Sequence, residues 1–210
     1  MNKLDVFFNY LDYMFPDAVC ELNYNKDYEF LISVMLSAQT TDKRVNKVTS
    51  ELFKRYDTLE KLSTASVDDI KLIIMPIGTY NRKALCVVEI AKALLDKYNG
   101  IVPDTHEMLE KLPGVGHKTA NVVLGTLYNI PSFAVDTHVS RVSKRLGFVY
   151  QKDDVGKIES KMKKLVPKDR WIKTHHQMVL FGRYHCKSKN PKCINCMLCD
   201  KCNYYNKKKA

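Results

Sequence analysis

A chain of 210 residues can hold one large or two small domains around a buried core. Eight glycines and seven prolines are too few for a turn-rich β-sandwich or barrel. The net charge of +11 lies wholly in the last third, since residues 1–140 carry 15 basic and 18 acidic side chains and residues 141–210 carry 19 and 5. Basicity confined to one region points to a polyanion partner such as nucleic acid, the alternative being a solvated tail at Lys207-Lys208-Lys209. The longest apolar run, around Phe30–Leu36, is far below the ~18 residues that span a bilayer. Met1-Asn2-Lys3 leads into a mixed segment and not an apolar signal core, so an intracellular chain with no membrane segment is expected.

In chain order, residues 2–14 predict a first helix. Asp27 offers an N-cap for 27–38, whose apolar set is Phe30, Leu31, Val34, Met35 and Ala38. Thr40 or Thr41 caps the next helix, with Val45, Val48, Leu52 and Phe53 facing inward. Ser66 with Asp69 has capping-box spacing for a short helix ending near Met75-Pro76. Residues 80–98 repeat Ala84, Val87, Val88, Ala91, Leu94 and Leu95 at helical spacing until Gly100. Further helices are expected at 105–111, 116–128, 137–146, 153–165 and 169–183. No strand-like alternation of useful length, linker or repeat intervenes. The expectation is an all-α fold of two lobes, divided near Pro131-Ser132, with a cleft between them as the natural binding site.

The segment Leu112-Pro113-Gly114-Val115-Gly116-His117-Lys118-Thr119-Ala120 joins two of these helices. Two glycines permit positive φ and leave backbone N–H groups uncovered at the positive end of the second helix, where a phosphate oxygen is favoured. Such a hairpin holds nucleic acid without reading its sequence; the alternative is a tight packing corner. Lys118 lies in the first turn, where the helix dipole and partial desolvation both favour the neutral amine. It is either an amine nucleophile able to form a Schiff base or a phosphate contact. Asp136, before the helix bearing Val139, Val142 and Leu146, is read as an N-cap, or as a carboxylate that accepts a proton and stabilises positive charge on a sugar.

Seven cysteines divide by position. Cys20 and Cys86 stand alone in apolar stretches expected to be helical and read as packing residues. Cys186, Cys193, Cys196, Cys199 and Cys202 crowd together, as expected of a metal or cluster site in a chain without a secretion signal. Cys186, Cys193, Cys196 and Cys202 give C-x6-C-x2-C-x5-C, while Cys193, Cys196, Cys199 and Cys202 form a run at intervals of three. Four thiolates suit tetrahedral zinc or an iron–sulfur cluster, and the spacing leaves both open. The loop Lys187-Ser188-Lys189-Asn190-Pro191-Lys192, tied at both ends, would present its ammonium groups to a DNA backbone at low entropic cost.

Over nearly its whole length the sequence resembles the endonuclease III family of DNA glycosylases, within the helix–hairpin–helix superfamily. The resemblance is carried by Leu36-Ser37-Ala38-Gln39-Thr40-Thr41-Asp42, the hairpin through Lys118 and Ala120, Val135-Asp136-Thr137-His138, and Gly182-Arg183-Tyr184 leading into Cys186. It implies a bifunctional enzyme that excises oxidised pyrimidines from duplex DNA and then nicks the strand, acting on damaged bases or abasic sites as a monomer. The implied fold is a six-helix barrel at 21–132 with a cluster domain formed by 1–20 and 133–210.

By the same resemblance Lys118 attacks the sugar, and Asp136 assists proton transfer. Cys186, Cys193, Cys196 and Cys202 hold a structural 4Fe-4S cluster. Gln39 fills the space of the flipped nucleotide, and Thr79 lies in the opposing wedge. Gly114, Gly116 and His117, with Lys189 and Lys192 of the basic loop, contact DNA, and Glu110, Asp42 and His138 lie near the base pocket. Two departures stand out. Cys199 has no obligatory place in the family pattern, and His117 stands where arginine is more usual. The adenine-mismatch glycosylases of the same superfamily lack the lysine present here as Lys118. A non-catalytic, zinc-stabilised DNA-binding protein would leave Lys118 and Asp136 without a joint purpose.

Overall fold

A computed structural model describes residues 2–209 of the chain, with side chains as far as Lys207. Met1, Ala210 and the side chains of Lys208 and Lys209 in the basic run lie outside the described residues. Among those described there is no strand, and the helices are α1 (Lys3–Met14), α2 (Asp27–Leu36), α3 (Asp42–Arg55), α4 (Leu59–Ser63), α5 (Val67–Ile74), α6 (Tyr80–Tyr98), α7 (His106–Leu109), α8 (His117–Tyr128), α9 (Thr137–Leu146), α10 (Val155–Leu165), α11 (Trp171–Leu180) and α12 (Asn203–Lys209). No described helix is long and apolar enough to cross a membrane. The all-helical expectation holds.

The chain divides into two compact units, Glu21–Tyr128 on one side and Met1–Cys20 with Asn129–Ala210 on the other. In the first unit α4 and α5 pack along α6, and α2 packs on α8. Leu31, Leu36, Leu52, Leu62, Ile70, Ile74, Val87, Ile90 and Leu94 are fully buried there, each contributing roughly 1.5–3 kcal/mol of transfer free energy. The second unit is built on Phe7, Leu11, Val139, Val142, Ile158, Met162, Met178 and Phe181. Its N-terminal helix is tied in by Asp12, which accepts from Arg170 at 2.9 Å and from Gln177 Nε2 at 2.9 Å. Burial alone would raise the Asp12 pKa, yet the hydrogen bonds from Gln177, Arg170 and Lys173 together hold it below the usual range.

Several local expectations are corrected. Asp27 is the first helical residue and not the cap; instead the Glu29 carboxylate accepts the N–H groups of Asn25 (2.8 Å) and Lys26 (3.3 Å). The Ser66–Asp69 capping box does not form, because Asp69 is drawn to Arg55 at 3.2 Å. Cys20 lies in the non-helical segment after α1, half-buried, since Pro16 ends the helical run. The helix expected over 169–183 is three pieces, a 3-10 turn at Lys168–Arg170, then α11, then a π-helical turn at Phe181–His185.

Candidate nucleic-acid interface and metal centre

The hairpin begins with Thr105, whose hydroxyl accepts from Met108 N–H at 3.3 Å and caps α7. Buried Leu109, Leu112 and Val115 anchor the turn. Gly114 sits at φ +75, and a Cβ there would lie 3.1 Å from Cys86 Sγ and 3.2 Å from Met35 Cγ, so both conformation and space demand glycine. Cys86 thus packs beneath the turn, as expected of a buried residue. Gly116 differs from expectation. It does not adopt positive φ, and an added Cβ would meet nothing within 4 Å, so this side of the turn is open.

The N–H groups of the first turn of α8 have no acceptor within their own helix. Ala120, Val123 and Leu124 face the core. Lys118 is solvent-exposed, where partial desolvation was expected, because the inward positions of the helix begin only at Ala120. Its amine is accessible. Glu110 Oε1 lies 3.1 Å from His117 Nδ1 and 3.2 Å from His106 Nδ1. Hydrogen bonds from His117 and His106 hold the Glu110 carboxyl below the usual range.

Two exposed residues of the same unit, Gln39 at φ 58 and Thr79 at φ 57, occupy the left-handed region without being glycine. Backbone held this way costs of order 1–3 kcal/mol and concentrates at functional sites. Sequence reading missed what supports them. Lys83, only 5% exposed, donates from Nζ to the carbonyls of Leu36 (2.9 Å) and Ala38 (2.6 Å) on either side of Ser37. Its own N–H donates to Thr79 O at 3.1 Å. Burial lowers the Lys83 pKa. Asp42, half-buried, stands in the first turn of α3.

In the other unit Asp136 caps α9, its Oδ1 accepting Val139 N–H at 2.7 Å. The cap fixes the carboxylate and leaves its second oxygen for other work. His175 donates from Nδ1 to Ala134 O at 2.8 Å, holding the segment that leads to Asp136. His138 Nδ1 accepts from Arg141 at 3.1 Å, and desolvation, the largest cause, lowers its pKa, so it is neutral near neutrality. Gly182 makes this packing possible, since an added Cβ would lie 2.8 Å from His138 Cβ.

Cys186, Cys193, Cys196, Cys199 and Cys202 line one pocket together with Leu146, Phe181 and Tyr205. None of the five is joined in a disulfide. Each of the last three donates its N–H to the carbonyl of the cysteine three residues earlier, at 3.0–3.1 Å, so the run at intervals of three winds around the pocket. Two arginines of α9, unremarkable in sequence, clamp the loop's entry. Arg141 donates to Gly182 O (2.7 Å) and Cys186 O (3.2 Å); Arg145 donates to Lys187 O (2.6 Å), Ser188 O (3.0 Å) and Cys186 Sγ (3.4 Å). The Cys199 thiol donates to the adjacent Asp200 carboxylate at 3.6 Å, and the Cys202 thiol donates to Arg145 O at 3.4 Å. Burial pushes the Cys196 thiol up to about 12, so it is held as thiolate only when a cation replaces its proton. A soft sulfur donor set in a half-buried pocket fits zinc or an iron–sulfur cluster. Lys189 and Lys192 are both exposed on the tethered loop.

A family model described as "HhH-GPD superfamily base excision DNA repair protein" matches residues 32–168. Endonuclease III of Bacillus subtilis (strain 168) is 44% identical over 189 residues, 90% of this chain and 86% of that protein. A trapped endonuclease III–DNA covalent intermediate, an estranged-adenine complex, superposes with TM-score 0.94 at 44% identity, covering 100% of both chains. A non-covalent endonuclease III–DNA complex gives TM-score 0.94 at 45% identity, covering 100% of this chain and 99% of that one. These likenesses place the chain: the protein belongs to the HhH-GPD superfamily of base excision DNA repair proteins and, within it, to the endonuclease III family.

Proposed function

We propose that the chain is a bifunctional DNA glycosylase and abasic-site lyase that removes oxidised pyrimidines from duplex DNA and cleaves the strand by β-elimination. The observation that carries the reading is an accessible Lys118 amine in the first turn of α8, beside open backbone N–H donors, in a chain alike over its full length to a protein trapped covalently on DNA. Residues 21–132 form the barrel domain, and 1–20 with 133–210 the cluster domain.

The Gly114–Gly116 turn and His117 hold backbone phosphate, and the exposed Lys189 and Lys192 add phosphate contacts of their own. Gln39 and Thr79 enter the duplex where the damaged nucleotide leaves the stack, and Glu110, Asp42 and His138 receive it. Lys118 Nζ, as the neutral amine, attacks C1′ of the deoxyribose. An N–C1′ bond forms while the glycosidic C1′–N bond breaks, and the base departs with the electron pair and takes up a proton. Asp136 accepts the proton lost by the ammonium and offsets the positive charge on the sugar. Ring opening leaves an imine between Lys118 and C1′. Loss of a C2′ proton then breaks the bond from C3′ to its phosphate oxygen, and water frees the lysine.

Cys186, Cys193, Cys196 and Cys202 would hold a 4Fe-4S cluster that fixes the basic loop and takes no part in excision, with Cys199 outside the set. The enzyme works as a monomer inside the cell, on the chromosomal DNA.

Borohydride trapping on a duplex with one oxidised thymine tests the reading. Wild type gives a covalent adduct, Lys118→Gln gives none, and Asp136→Asn binds but traps poorly. A folded, iron-loaded wild type that binds the duplex without forming an adduct overturns Lys118 as nucleophile.

A further inference from the structure

His106 and Glu110 are four residues apart across the end of α7 and so share one side of it. The turn after Leu112 brings His117, the first residue of α8, back over the same side. The two imidazoles stack with centroids 4.8 Å apart and planes 20° apart, and both present Nδ1 to Glu110 Oε1. One ligand atom from each of the three residues falls within 4.8 Å of the others.

We infer that His106, Glu110 and His117 form a binding site for a divalent transition metal, zinc in the first instance, that clamps α7 to α8 across the hairpin turn. Two imidazole nitrogens and one carboxylate oxygen are a zinc donor set, and three protein ligands leave one position for water. The 3.1 and 3.2 Å separations already match the roughly 3.3 Å edge of a tetrahedron with bonds of about 2.05 Å. The two imidazole nitrogens, within 4.8 Å of each other, close by up to about 1.5 Å to complete the tetrahedral edge. With each ring's proton on Nε2, both Nδ1 lone pairs and the ionised Glu110 oxygen turn to the ion, which takes the place of the two Nδ1–Oε1 hydrogen bonds. The dipole of α8 opposes a cation at its N-terminus, and the Glu110 charge offsets that cost. His106 is half-exposed and the other two are exposed, so the ion enters without any opening of the fold.

The site is separate from the cysteine pocket, and it stands whether or not Lys118 proves to be the nucleophile. Its purpose is mechanical. Three bonds across Leu112–Gly116 hold the backbone donors of the turn in one arrangement, which a two-glycine turn does not do alone.

The test uses the full, iron-loaded chain titrated with zinc chloride by calorimetry, with iron content measured before and after. Wild type takes up one zinc per chain with no release of iron. Loss of even an outer partner costs a metal site 10- to 100-fold, so His106→Gln weakens uptake at least about tenfold, and His106→Gln with His117→Gln abolishes it. Zinc also slows amide hydrogen exchange over residues 106–118 in wild type and not in the double variant. No zinc uptake by wild type, or uptake unchanged in the double variant, overturns the site. So does uptake matched by iron release, which places the zinc on the cysteines.

Discussion

The Lys83 ammonium donates to the carbonyl of Ala38 at 2.6 Å, one residue before the left-handed Gln39. Through its main chain the same residue holds Thr79, a second exposed non-glycine residue at positive φ in the hairpin unit. One buried cation therefore braces two strained loops that sequence resemblance assigns to opposite sides of the flipped nucleotide.

Replacing Lys83 by methionine keeps the stem and deletes the donor. Two carbonyls near the end of α2 lose their partner, which costs about 2 kcal/mol in chemical denaturation. Nicking of a lesion-bearing duplex falls about tenfold or more, while nicking and stability of Lys118→Gln separate, since the latter removes chemistry and leaves the fold intact. Full activity in a destabilised Lys83→Met would show that the loops need no brace.

Iron analysis separates the cysteines. Cys196, half-buried with its thiol raised to about 12, is expected to be indispensable, and Cys196→Ser retains no cluster. Cys199→Ser, whose thiol already bonds Asp200, retains iron and sulfide at the wild-type level. Loss of iron from Cys199→Ser with retention by Cys186→Ser would exchange the two ligands.

The basic loop is tested by salt. Lys189→Ala and Lys192→Ala each weaken binding to damaged and undamaged duplex alike, and each lowers the slope of log K against log salt by about 0.9. Loss confined to damaged DNA would make these lysines part of lesion recognition.

Much of this was legible in sequence. The helices at 80–98, 116–128 and 137–146 follow from apolar periodicity and flanking caps, and the cysteine pocket from spacing. Lys83 was not legible, because a lysine in a helix reads as solvated until the carbonyls of a distant turn are placed against it. Arg141 and Arg145 read the same way, and only the path of the chain after Phe181 shows what they hold. Asp69 and Asp27 misled for the opposite reason: a local cap was available, but Arg55 and Glu29 made better contacts. His106 carried no signal alone; its partner lies eleven positions on, beyond the turn.

Acid stability turns on His176, whose pKa burial, with His175 as the second cause, lowers to about 3. Between pH about 6.5 and about 3 the unfolded chain binds a proton there that the folded chain refuses. The contribution is therefore complete above pH 6.5 and shrinks as pH falls, by about 2 kcal/mol at pH 5 at 1.36 kcal/mol per unit. His176→Gln removes this dependence. Its stability relative to wild type rises on going from pH 7 to pH 5, as read from paired thermal melts, and an unchanged difference would mean that His176 is protonated in the fold.

The π-helical turn at Phe181–His185 closes with Cys186 N–H donating to Phe181 O at 2.7 Å, five residues back. A widened turn accommodates one residue more than an α-helical turn and so resets angular phase by about 100°. Cys186 reaches the pocket at that phase and no other. Were residues 181–185 to tighten to an α-helical turn at their present number, Cys186 would come round by about 100° and miss the pocket, with every side chain still chemically present. The wide turn thus sets the first cysteine's azimuth: a one-residue deletion that restores an α-helical turn keeps that phase, whereas a change that regularises the turn at full length costs the centre a ligand.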